Sequence, residues 1–95
     1  MTNSQRLSIA YLRVDGDTLR LKYADIVGVR RDGGALDWEL VAYGLDGDQR
    51  FEPGPYRIEA DVLEGPTVSG DAILVRSIDG GHVFRGVGEM EGWAW

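Results

Sequence analysis

Four Asp-Gly pairs punctuate this chain, at Asp15-Gly16, Asp32-Gly33, Asp46-Gly47 and Asp79-Gly80. Asp-Gly suits the two positive-φ positions of a type I′ hairpin turn, whose twist matches that of the flanking strands. Pro53-Gly54-Pro55 and Gly65-Pro66 add two further breaks. Glycine makes up 14 of the 95 residues, about twice ordinary usage. The segments between breaks are strand-sized, and none has room for more than a short helix.

The segments also alternate with the period of a strand. In Thr18–Tyr23, Leu19, Leu21 and Tyr23 share one face, opposite Thr18, Arg20 and Lys22. In Leu36–Tyr43, Leu36, Trp38, Leu40 and Ala42 share a face, opposite Asp37, Glu39, Val41 and Tyr43. Tyr56–Val62 is the cleanest case, with Tyr56, Ile58, Ala60 and Val62 opposing Arg57, Glu59 and Asp61. Ala72–Ile78 and Val83–Val87 are apolar on both parities, which predicts strands covered on both faces.

Each turn implies a register. A two-residue Asp15-Gly16 loop pairs Leu12 with Leu19 and Ala10 with Leu21; a three-residue loop pairs Ile9 with Tyr23 and Tyr11 with Leu21. A two-residue Asp32-Gly33 loop pairs Val29 with Leu36 and Val27 with Trp38. A two-residue Asp46-Gly47 loop pairs Ala42 with Phe51. Each choice sets apolar beside apolar, as a one-faced sheet requires.

Seven to eight short strands at regular spacing predict a single all-β domain over residues 1–95. The expected fold is a small antiparallel β-sandwich, with a small β-barrel as the alternative. Residues 1–6 are a candidate disordered end, and residues 91–95 form a C-terminal tail. Phe51-Glu-Pro-Gly-Pro-Tyr56-Arg-Ile58 resembles the apolar-x-Pro-Gly-x-Tyr-x-apolar corner of transthyretin-like and fibronectin-like sandwich domains. That resemblance covers about eight residues and implies a tyrosine at a strand entrance, after a turn crossing between sheets.

Sixteen acidic residues against ten basic ones give a net charge of −6. Such a field repels nucleic acid and anionic membranes, so neither is an expected partner. With no cysteine, disulfides, thiolate chemistry and zinc-finger sites are excluded, and the expected location is the cytoplasm. No apolar stretch approaches the roughly 20 residues of a membrane helix.

Few residues offer catalytic chemistry. His82 is the one histidine, and the expectation is a partly exposed strand residue. Ser69 and Ser77 lie outside any Gly-x-Ser-x-Gly elbow. Asp15-Gly-Asp17 and Asp46-Gly-Asp48 resemble openings of calcium loops, but position five is Leu19 or Arg50 where an EF-hand needs a ligand. The glycines from Gly80 to Gly88 lack the helix that a phosphate cradle needs. No catalytic residue, metal site or cofactor is expected.

The remaining candidates are binding residues: Trp93 and Trp95 in the tail, Tyr43, and the Arg30-Arg31 pair beside a hairpin tip. Two tryptophans at i and i+2 lie on one side of an extended tail and call for a cover, from the chain's own core or from a partner. Trp38, on the apolar parity, is a core residue. The function expected is a small intracellular binding or assembly module without catalysis, partnered by a protein or by itself. The alternatives are a domain binding a small ligand or carbohydrate, and an acidic inhibitor of immunity type occupying a basic site.

Overall fold

The structure, a computed structural model, describes residues 3–45, 51–78 and 80–93. Seven strands account for most of them: β1 (Asn3–Val14), β2 (Asp17–Leu19), β3 (Leu21–Arg30), β4 (Leu36–Gly44), β5 (Gly54–Val62), β6 (Thr67–Ile78) and β7 (Gly81–Glu91). They form one antiparallel sheet in the order β2-β1-β3-β4-β7-β6-β5, and β1 pairs with β5 to close it. The result is a six-stranded barrel carrying β2 as an extra strand. The all-β class is as expected, and of the two architectures the barrel is the one observed. No helix among the described residues is long and apolar enough to cross a membrane.

Closure depends on β1. Its first half, Asn3 to Ser8, pairs with β3, and its second half, Ile9 to Val14, pairs with β5. The pairing with β5 shifts register between Ile9 and Tyr11, which bends the strand so that one segment serves two neighbours. Residues 3–6, expected as part of a loose end, are thereby ordered against Arg30–Val27. A single closed sheet has no second sheet to cover its outside. Ile73, Val75 and Val87 therefore stand 45, 48 and 53% exposed, contrary to the expectation of covered strands.

The Asp15-Gly16 turn forms as predicted, with φ of 51° and 84° and Leu12 opposite Leu19. Neither further register predicted for that hairpin holds: the ladder breaks at Arg20 and resumes with Asp25 opposite Ser8. The second hairpin is displaced by one residue. Val29 pairs with Asp37 and Gly28 with Trp38, around an Asp32-Gly33-Gly34 loop closed by the Arg31 N–H donating to Ala35 O at 2.9 Å. The displacement places glycine opposite the tryptophan and turns Val27 and Val29 outward. Ala42 faces Ala24 and His82 instead of Phe51, because β4 and β5 are not neighbours. Residues 46–50, which include the Asp46-Gly47 turn, lie outside the described residues. Ile78 opposes Gly81 across the fourth turn.

The inward faces of β4 and β5 are as read from the sequence: Leu36, Trp38, Leu40, Ala42, Ile58 and Ala60 are buried. The Trp38 ring lies flat against β7, where a Cβ on Gly86 would stand 2.1 Å from its Cε2 atom. Only glycine permits that approach. At the opposite end, Phe51, Tyr56, His82 and Phe84 interlock edge to face, with centroids 5.1–6.3 Å apart. The Tyr56 hydroxyl donates to Glu52 O at 2.6 Å, so the Pro-Gly-x-Tyr corner closes a barrel here.

Candidate functional site

The site begins where the barrel wall parts. The ladder between β4 and β7 runs from Tyr43↔Gly81 to Glu39↔Arg85 and goes no further among the described residues. Beyond it, β7 pairs with β6 and β4 pairs with β3. Side chains bridge the opening. The Trp38 indole N–H donates to Gly88 O at 3.0 Å. The Leu36 N–H donates to Glu89 Oε2 at 3.1 Å, and Arg30 Nη1 donates to both Glu89 oxygens at 2.9 and 3.2 Å. The Arg30 guanidinium, with help from the Leu36 amide, holds the Glu89 carboxyl below its ordinary range.

A groove of about 330 Å³ lies over this opening, lined by Val27, Val29, Asp37, Glu39, Arg85 and Gly86, with Trp38 as its floor. Asp37 is held by Arg31. Glu39 and Arg85 stand directly opposite each other, yet neither takes part in an ion pair among the described residues. Around them the outer surface continues as Val41 and Val83, half-buried, and as the exposed Ile73, Val75 and Val87.

The opposite wall is built differently. Arg13 meets Glu59 at 3.5 Å and Asp61 at 3.3 Å, and the Thr67 hydroxyl donates to Asp61 at 2.8 Å. The Thr67 hydrogen bond, followed by Arg13, pulls the Asp61 carboxyl below its ordinary range. Arg57 reaches Asp71 at 3.2 Å, Ser69 at 3.3 Å and Glu91 at 3.7 Å.

The binding residues read from the sequence do not converge. Arg30 and Arg31 share the β3–β4 hairpin, but their heads serve Glu89 and Asp37, and Arg30 also donates to Gly34 O at 2.7 Å. Trp93 is half-buried against the core, and its indole N–H donates to Gln5 Oε1 at 3.0 Å. The chain itself thus covers the first tail tryptophan; Trp95 lies outside the described residues. Tyr43 is half-buried on the outer face near the other end, stacked on Tyr23 with centroids 4.7 Å apart. The residues that sequence reasoning missed are Val27, Val29, Glu39 and Arg85. Their signal was the apolar outer parity of neighbouring strands, read as cover by a second sheet.

His82 corrects another expectation, since it is buried at 3% exposure. Its Nδ1 shares a 2.7 Å hydrogen bond with the Ser77 hydroxyl, and burial pushes its pKa down, so the ring is neutral near pH 7. Among the described residues no carboxylate hydrogen-bonds the ring, and Ser69 is engaged by Arg57. The Asp15 carboxylate accepts the Arg57 N–H at 2.6 Å, which pins the first turn to β5. Among the described residues no cluster of three or more side chains is suited to a metal ion. No protein-family model matches the chain, and neither does any curated protein or solved structure compared with it.

Proposed function

We propose that the chain is a non-catalytic binding module that presents the β3–β4–β7–β6 wall to a protein surface. One observation carries this reading: Glu39 and Arg85 stand opposed without an ion pair, inside an apolar wall formed by Val27, Val29, Val41, Val83, Ile73, Val75 and Val87. Exposed apolar area gathered on one face is what a protein contact uses. A net charge of −6 argues against nucleic acid as the partner. Trp38 is 3% exposed and offers no open ring face on which a sugar could stack, which weakens the carbohydrate alternative. The carboxylates of the opposite wall are engaged by Arg13 and Arg57, which weakens the reading as an acidic inhibitor. The absence of cysteine fits work in a reducing compartment such as the cytoplasm.

Site-specific photo-crosslinking in the native host tests the reading. A photoreactive residue at Val87 is expected to give protein adducts, and the same residue at Glu59 is not. Equal yields from both walls, or none from either, overturn it.

A further inference from the structure

The pattern of the apolar wall identifies its occupant. We infer that the wall binds a second copy of this chain, about a twofold axis that runs parallel to the strands between β4 and β7. This rests on the binding-module reading above and specifies the partner.

The argument comes from two rows of residues that cross the wall in register. One row reads Val27, Glu39, Arg85, Ile73 across β3, β4, β7 and β6. The next reads Asp25, Val41, Val83, Arg76. A twofold axis between β4 and β7 lays each row on its own reverse. Glu39 then meets the second copy's Arg85, and Arg85 its Glu39; Val27 meets Ile73. In the other row Asp25 meets Arg76, and Val41 meets Val83. Within these two rows every position finds its complement, with opposite charge on charge and apolar on apolar. Among the described residues none of Asp25, Glu39, Arg76 and Arg85 makes an ion pair within the chain. All four are therefore available for exchange between copies, as an isologous contact requires.

The same geometry sets the strength. Four strands about 4.8 Å apart and five residues at about 3.3 Å rise span a face of roughly 19 by 16 Å. Standard interfaces cover about 800 Å² per partner, and a convex barrel wall of this size falls below that. The dimer is reversible, with dissociation in the micromolar range or weaker.

Sedimentation of the purified chain across a wide concentration range is the test. The expected result is a monomer–dimer equilibrium. Arg85→Glu and Glu39→Arg each place like charges across the axis and are expected to weaken it by roughly tenfold or more. Mixing the two variants one to one restores opposite charges at both contacts, so heterodimers form at about the parent affinity. Circular dichroism of each variant should match the parent, because both side chains are exposed. A parent that stays monomeric to millimolar concentration overturns the inference. So do charge variants that dimerise like the parent, or a mixture that gains nothing. A monomeric parent whose Val87 crosslinks to a different protein in the host overturns the second copy alone. A monomeric parent with no such crosslinks overturns the binding wall as well.

Discussion

The two halves of the barrel wall use the same antiparallel pairing and end with opposite surfaces. Along β1, β5 and the first half of β6, basic and acidic side chains join within the chain: Arg13 with Glu59 and Asp61, Arg57 with Asp71 and Glu91. Along β3, β4 and the first half of β7, half-buried valines line the outer face and the opposed Glu39 and Arg85 do not join. Strand pairing alone therefore does not settle a wall's surface chemistry. The first wall satisfies its charges locally. The second pairs Arg30 with Glu89 and Arg31 with Asp37 at its hairpin end, and leaves Glu39 and Arg85 without an ion pair among the described residues.

The greatest loss is expected at Trp38, which supports the second wall from within. Trp38→Ala removes the groove floor and the bridge to Gly88, and core truncations of this kind cost about 3–5 kcal/mol. Urea unfolding at equilibrium measures it. Gly86→Val attacks the same contact from the other side by forcing a side chain into the indole ring, and should lower the midpoint in the same assay. If both variants unfold with the parent, the indole does not hold the parted strands together.

A smaller effect is expected from pH at the aromatic end of the barrel. Burial lowers the pKa of His82 in the folded chain, so the unfolded chain binds its proton more readily. The stability of the neutral ring is complete above the ordinary histidine range. It is lost progressively as pH falls through that range towards the lower folded value. His82→Gln should flatten this part of a stability-against-pH curve. Asp61 and Glu89 act at lower pH: their folded pKa values are also depressed, and their contribution fades as pH falls through the carboxylate range. A curve for His82→Gln that still drops between pH 7 and 5.5 assigns the loss to another group.

Tyr56→Phe isolates the corner and removes one hydrogen bond to Glu52 O at a cost of about 1 kcal/mol. Differential scanning calorimetry on parent and variant resolves such a change. The least effect belongs to the first wall. Arg13→Gln breaks an exposed network, so its small change in midpoint should shrink further in molar salt. An equally large, salt-independent loss would make the two walls energetically alike and remove the contrast between them.

Much of this fold was legible in the sequence where the information is local. The type I′ turn at Asp15-Gly16 follows from two residues that tolerate positive φ, and Leu12 opposite Leu19 follows from the turn. The inward faces of β4 and β5 follow from alternation, because successive side chains on a strand must point to opposite sides. The candidate site was hardly legible. Its residues lie on strands far apart in sequence, and their role depends on which strands become neighbours.

Those long-range pairings are what only the tertiary structure decided. Alternation tells which residues share a face; it does not tell whether a second sheet or water covers the other one. Pairing of β1 with β5 closed the sheet on itself, and that closure exposed Ile73, Val75 and Val87. The register of the second hairpin was also decided non-locally. Trp38 packs on Gly86 and Gly70 from the distant strands β7 and β6, and the observed register sets Gly28 opposite it, with a longer loop than Asp32-Gly33 alone would suggest. His82 is packed edge to face by Phe51, from the segment that leads into β5, a strand that does not pair with β7. Turn chemistry and alternation act within a few residues and are written in the chain. Closure, cover and register across the barrel depend on volumes brought together from distant positions, and those exist only once the chain has folded.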